Sequence, residues 1–254
     1  MIKGIYAAAS AMMVNMNRQG TIAHNVANLD TPGFKDVMLP MEDFLYTGVA
    51  HPPGPMSGSQ RQAWIGSLGL GVESLPEQID FSGGAFRVTD QPLDFAIQGE
   101  GFFQVETPSG VRYTRDGRFD RDLDGNLVTI DGYFVLDNNG ARINLPEGDI
   151  SFAADGTISV AGTAAGQIGL AAFTNPETEL VRDIPNMFAA AGGPTGDNPG
   201  FIQQGAIEMS NGNAANLMTQ MVSVTRAYEA AQRLVQVQDE LLGRSIASLG
   251  NFNA

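Results

Sequence analysis

Asp120, Asp122 and Asp124 occupy alternate positions, Gly125 follows them, Leu127 is the eighth residue of the run and Asp131 the twelfth. Carboxylates at that spacing, around a glycine that permits a sharp turn, are how an EF-hand loop surrounds Ca²⁺. Three features weigh against that use. The flanks, 111–119 and 133–136, read as strands rather than helices. Arg115, Arg118 and Arg121 bring positive charge beside the proposed ligands. Asp131 also reaches less far than the bidentate Glu usual at the last position. The better reading is a β-hairpin turning at Asp124-Gly125. A secreted calcium-binding β protein stands as a competing class. A carbohydrate-active enzyme using two carboxylates is a third, since a chain with 28 Asp and Glu always contains candidate pairs.

Other chemistry is thin. The absence of cysteine removes disulfides, a thiolate nucleophile and Cys-based zinc or iron–sulfur sites. His24 and His51 are the only histidines, and His24, beside Asn25 and Asn28, suits a capping or solvated role better than catalysis. Neither a phosphate-cradling glycine loop, a Gly-x-Ser-x-Gly elbow nor a His-Glu-x-x-His pair occurs. The expectation is a non-enzymatic protein without metal or cofactor.

The charge is unevenly placed. Fourteen Lys and Arg against 28 Asp and Glu give a net of −14 over 254 residues, which disfavours general nucleic-acid binding. Residues 1–36 carry +1 and 208–254 carry −1, so 37–207 hold the entire −14. Nearly neutral ends suit packing, while a solvated acidic middle resists non-specific association. No run reaches the ~18–20 apolar residues that span a bilayer, so no membrane insertion is expected. Lys3 and the apolar run Ile5–Val14 imitate a secretory signal, but Ser10 breaks the run and the helical pattern continues through it, so cleavage is not expected.

The ends have helical periodicity. Ile5, Ala9, Met12, Met16, Gln19, Ala23 and Val26 form a heptad seam, uninterrupted until Pro32. Leu217, Met221, Val224, Tyr228, Ala231, Val235, Gln238 and Leu242 form a second, after a turn and cap at Asn211-Gly212-Asn213, with Gly250 as a stop. Sustained heptads at both ends predict pairing as a coiled-coil-like stem. The middle is β-like. Asp-Gly at 116–117, 124–125, 131–132 and 155–156, and Asn-Gly at 139–140, favour the positive φ of tight turns. Between them lie Phe102–Val105, Val111–Thr114, Leu127–Ile130, Tyr133–Leu136, Ile158–Val160 and Ile168–Phe173. The fold class is therefore α+β: terminal helices around a central antiparallel all-β domain. The expected divisions are 1–36, a helical segment; 37–74, an extended Gly/Pro-rich linker; 75–207, the β domain; and 208–254, a second helical segment. His51–Gly71, with Trp64 packing its own loop, and Ala189–Gly200 read as loops.

Four blocks of the sequence resemble the bacterial flagellar basal-body rod and hook family. His24-Asn25-Val26-Ala27-Asn28-Leu29-Asp30-Thr31-Pro32-Gly33-Phe34-Lys35 is similar to its N-terminal signature, with His24 in place of the usual Asn. Leu93–Val105, with Asp94, Ala96-Ile97, Gly99 and Gly101-Phe102-Phe103, resembles a second block. Tyr113-Thr114-Arg115-Asp116-Gly117-Arg118-Phe119 with Asp124-Gly125-Asn126-Leu127-Val128 resembles a third. Gly205–Asn211, Met221-Val222 and Arg226-Ala227-Tyr228-Glu229 resemble the C-terminal block, although Gly212 stands where a β-branched residue is common.

The resemblance implies a structural subunit of the flagellar drive shaft. Such a subunit passes the flagellar type III export apparatus without a cleaved signal and assembles beyond the cytoplasmic membrane, in the periplasm or cell envelope. It polymerises with itself into a helical tube and contacts other rod and hook subunits. The residue-level expectation is that the two seams, Gln19 and Gln238 apart, form the assembly interface, and that Asn25, Asn28, Thr31, Gly33 and Phe34 shape the turn after the first helix. The length excludes a hook subunit with an inserted outer domain. The stretch from Asp43-Phe44-Leu45-Tyr46 to Gly69-Leu70-Gly71-Val72 favours a distal over a proximal rod position.

Overall fold

The structure, a computed structural model, describes residues 2–50, 64–146, 150–153, 156–160, 163–196 and 200–250. The chain is α+β, with a helix at either end (Ile2–Ala27 and Ala214–Gly250) and antiparallel sheets between them. It divides into two compact units. One comprises Met1–His24, Val37–Gln78 and Ala215–Ala254, the other Asn25–Asp36 and Ile79–Ala214.

In the helical unit, the C-terminal helix has 37 residues, about 55 Å at 1.5 Å per residue. Gln19 Nε2 donates to Thr225 Oγ1 at 3.2 Å, and a Cβ on Gly4 would lie 3.2 Å from Gln238 Nε2. Position 4 opposite 238 and 19 opposite 225 makes the pair antiparallel. Met41–Ala50 and Trp64–Ser74 form a two-stranded ribbon, registered from Met41 opposite Ser74 to Ala50 opposite Trp64. It rests on the N-terminal helix where Val72 N donates to Ser10 Oγ at 3.1 Å.

The ribbon corrects the expectation of an extended linker over 37–74. Glycine and proline content suggested a loop, but Gly71 stands opposite Phe44 in the ladder, where an aromatic across the strands compensates for a missing side chain. The tip of the expected loop, 51–63 with His51, and the side chain of Trp64 lie outside the described residues.

The β unit is built around Phe102–Thr107. This strand pairs on one edge with Gly110–Thr114 and on the other with Phe134–Val135 and Leu170–Ala171. The sheet continues to Leu180–Ile184 beyond Met187–Ala190 on one side, and to Leu127–Thr129 and Phe119–Arg121 on the other. Successive side chains of a strand point to opposite faces. Phe103 and Val105 enter a core with Phe95, Ile97, Phe119, Leu127, Leu145 and Ile158, while Phe102 enters a second with Tyr113, Phe173 and Phe188. The second core is an aromatic cluster, Phe102 meeting Phe173 and Phe188 edge-on at 5.9 Å each. Smaller pairings join Phe95–Gln98 to Phe201–Gln204 and Phe86–Val88 to Ala206–Glu208.

Every strand-like run expected from the sequence contains a strand of this unit. Gly125, Gly132, Gly140 and Gly156 adopt the positive φ foreseen at their turns. Gly117 does not. A Cβ there would fall on Phe95 O, so its glycine serves close backbone approach instead. The expected loop 189–200 begins as strand, since Met187–Ala190 pairs with both neighbours.

Candidate functional site

The segment after the N-terminal helix turns tightly. Asn28 N donates to Asn25 O, Thr31 N to Asn28 O and Phe34 N to Thr31 O, while Thr31 Oγ1 donates to Asn28 Oδ1 at 3.2 Å. Asn25 and Phe34 are buried. Gly33 has φ +69°, and a Cβ would lie 2.3 Å from Asp116 N. The five residues singled out for this turn therefore do lie in one compact segment.

That segment ends in a buried ionic cluster. Lys35 Nζ donates to Glu208 Oε1 at 2.7 Å and to Ser82 O at 2.7 Å. Arg115 Nη1 donates to Glu208 Oε2 at 3.1 Å, and its Nη2 to Gly99 O at 2.9 Å. Gly84 N adds a third donor to Glu208 at 2.9 Å. Lys35 is 0% and Glu208 1% exposed, so this is a desolvated triad and not a surface pair. Burial holds the Lys35 ammonium below its ordinary range, opposed by the attraction of Glu208, and burial likewise lowers Arg115.

Around the triad, Asp36 N donates to Asn211 Oδ1 at 2.8 Å, and Asn211 Nδ2 donates to Asp80 O at 2.8 Å. Arg182 Nη2 donates to Lys35 O at 2.9 Å, its guanidinium 5.0 Å from the Phe34 ring centre, and Asn186 Nδ2 donates to Pro32 O at 2.8 Å. Sequence reasoning missed these residues as a site. Lys35, Arg115, Glu208 and Asn211 each stand inside a signature block, and charges within blocks otherwise rich in apolar and glycine residues were the available signal. Arg182 and Asn186 lie in none.

The calcium-like loop is a hairpin. Phe119–Arg121 pairs with Leu127–Thr129, and Asp122 closes the turn by accepting from Asp124 N, Asn126 N and Asn126 Nδ2. The Asn126 bonds hold the Asp122 carboxyl below its usual 3.8. Asp137 does the same at the Asn139-Gly140 turn, accepting from Asn139 N and Ala141 N. Among the described residues no group of three or more His, Asp or Glu is placed to hold a metal ion.

On the C-terminal helix the seam is the least exposed line: Leu217 and Val224 are buried, and Met221, Tyr228, Ala231, Val235, Gln238 and Leu242 half-buried. On the N-terminal helix Ile5, Met12, Gln19 and Val26 are half-buried but Ala9, Met16 and Ala23 are exposed, while Ala8, Val14 and Ile22 are the buried apolar residues. Met218, Val222, Leu234, Val237, Leu241 and Ile246 are bare on the C-terminal helix, Met218, Val222 and Val237 away from the seam, Leu234 and Leu241 on its flank and Ile246 just past its end. No described helix is long and apolar enough to cross a membrane.

Terminal helices that keep apolar residues bare, beside a β unit closed around its own core, describe a structural assembly subunit. Three family models match in chain order: the flagella basal body rod protein over 5–35, the flagellar hook protein FlgE/F/G D1 domain over 96–160, and the flagellar basal body rod FlgEFG protein C-terminal over 203–249. The chain is 32% identical to the flagellar basal-body rod protein FlgG of Bacillus subtilis, covering 95% of this chain and 97% of that one. It is 31% identical to FlgG of Borreliella burgdorferi (96% and 97% covered) and 33% identical to the basal-body rod protein FlgF of Rhizobium meliloti (97% and 98%). The chain belongs to the flagellar basal-body rod family, a structural and not an enzymatic one.

Proposed function

We propose that this chain is a distal subunit of the flagellar rod, polymerising with copies of itself and with other rod and hook subunits into a helical tube that transmits torque. The observation that carries the reading is the row of bare apolar residues on the helical unit of a chain whose relatives are rod proteins. A contact surface that is not self-complementary generates an open helix, as a shaft requires. The terminal segments supply the tube wall. Their seams, Ile5 to Val26 and Leu217 to Leu242, hold the helices together, and exposed Ala9, Met16 and Ala23 meet neighbours. Long helices without those neighbours gain little from ordering. The ends of the free chain are therefore protease-sensitive and pass readily through the type III export apparatus.

The distal position is supported by the resemblance of Asp43–Tyr46 and Gly69–Val72, now the ribbon, to distal rod proteins, and by the two FlgG relatives. The FlgF relative, at 33% identity, supports a proximal position. A cryo-EM map of isolated basal bodies decides between the two.

Assembly itself is tested by removing residues 1–24, which leaves 25–36 with the β unit. The full chain elongates added rod seeds and the truncated chain does not, while its β unit keeps a cooperative unfolding transition. Normal elongation by the truncated chain sinks the proposal.

A further inference from the structure

The buried triad holds two cations against one carboxylate, and stability alone does not explain it. Exchanging a buried ion cluster for apolar groups of similar volume is often neutral or stabilising. Its geometry is more telling. Residues 33–36 follow the N-terminal helix and 208–211 precede the C-terminal one. These segments are tied to each other repeatedly: Gly33 N to Glu208 O at 2.7 Å, Lys35 to the Glu208 carboxylate, Asp36 N to Asn211 Oδ1, and Asn211 N to Phe34 O at 3.4 Å. Arg115, through Glu208 and Gly99 O, fastens the tie to the β sheet, and Ser82 O and Gly84 N close its other side.

We propose that Lys35, Arg115 and Glu208 are positioning residues, an ionic clasp that holds two of the β unit's chain exits, those at 33–36 and 208–211, in one register. An apolar contact is tolerant of sliding. A carboxylate shared between an ammonium, a guanidinium and a backbone N–H is not, because each displacement strands a buried charge. The two segments thus leave the β unit at a fixed spacing. The consequence for tube building rests on the rod reading; the clasp itself does not.

Amide hydrogen exchange on the full chain separates positioning from bulk stability. In Glu208→Gln, the exit amides of Gly33, Asp36 and Asn211 lose at least about tenfold more protection than the core amides of Phe95, Leu127 and Leu136, the sign of a local opening. A parallel loss at exits and core, or no loss at either, overturns the clasp. Where Glu208→Gln lowers global stability, Lys35→Met/Arg115→Met/Glu208→Leu is the deciding variant. It leaves no charge unpaired, and the same differential loss at the exits is expected in a folded β unit. Core and exits equally protected in that variant also overturn the proposal. Seeded elongation is the separate arm. A parent chain that fails to elongate removes the rod reading and leaves the exchange result standing. Loosened variants that elongate at the parent rate remove the clasp's role in assembly.

Discussion

In the β unit, strong interactions close inward: two apolar cores lie on opposite faces of one strand, and the triad is sealed from water. In the helical unit they stop halfway, because one line of each helix is covered while Tyr6, Met13, Met16, Val222, Val237 and Ile246 stay bare. Charge divides the same way. The β unit carries eight Lys and Arg against 21 Asp and Glu, a net of −13, and the helical unit six against seven, a net of −1. The lesson is a division of labour. On the proposed function, the self-sufficient acidic unit would keep copies apart in solution by repulsion, and the nearly neutral, unfinished unit would gain its remaining burial from neighbours.

The comparison breaks most readily at the clasp. Glu208→Ala strands Lys35 and Arg115 in a dry interior, and removing one partner of a buried ion cluster costs about 3–5 kcal/mol. Urea unfolding followed by near-ultraviolet circular dichroism of the β unit's aromatic cluster, Phe102, Tyr113, Phe173 and Phe188, is expected to show that loss. A change below about 1 kcal/mol would mean that water replaces the carboxylate and that the unit is not closed. Gly33→Ala comes next. The positive-φ backbone alone disfavours a side chain by about 1–3 kcal/mol, and the Cβ also meets Asp116 N. An unchanged midpoint would show that the turn relaxes.

Much of this was legible in the sequence, for reasons that also explain the gaps. A helix writes its contacts at spacings of three and four, so both helices could be read, and all eight C-terminal seam residues occupy the covered line. Tight turns leave local traces, and Asp122 and Asp137 show why: each carboxylate caps backbone N–H groups two and four residues on. The clasp left no local trace, since Lys35 and Glu208 are 173 residues apart and only folding joins them. The ribbon was hidden because glycines that signal turns also sit opposite aromatics in a ladder. On the N-terminal helix the heptad seam holds half-buried Ile5, Met12, Gln19 and Val26 and exposed Ala9, Met16 and Ala23, while the buried Ala8, Val14 and Ile22 lie outside it, since sequence does not say which side meets its own chain.

A smaller effect sharpens the contrast by pH. The Asp122 and Asp137 carboxyls are held below their ordinary 3.8 by hydrogen bonds, and Glu106 below 4.5 by Arg142. A carboxylate with a depressed folded pKa contributes stability that is complete above its unfolded pKa and lost as pH falls through the folded one. The β unit should therefore weaken as the pH falls below about 4.5, the ordinary value of Glu106, and on through the lower folded values of the three carboxyls. Asp122→Asn and Asp137→Asn should each flatten that slope, and an unaltered slope in both would show that the turns do not bind the carboxylate form preferentially. The helix–helix contacts, which rest on neutral groups such as Gln19 and Thr225, supply no comparable acid-sensitive term.

The smallest change to the free chain is the most informative about its bare surface. Val237 is 54% exposed and Leu234 49%, Val237 on the side away from the covered seam and Leu234 on the seam's flank. Substituting Asp at either position removes little burial within the chain, so thermal unfolding of the dilute protein should move by no more than about 0.5 kcal/mol. If the helical unit is completed by neighbours, the same carboxylate is buried without a partner at each contact along the tube, and a penalty of about 1–3 kcal/mol per interface lowers elongation from seeds at least about fivefold. Equal elongation by Val237→Asp, Leu234→Asp and the parent would show that the bare stripe faces water in the assembled shaft. The asymmetry between the two units would then reflect tolerance of exposed apolar residues and not an interface.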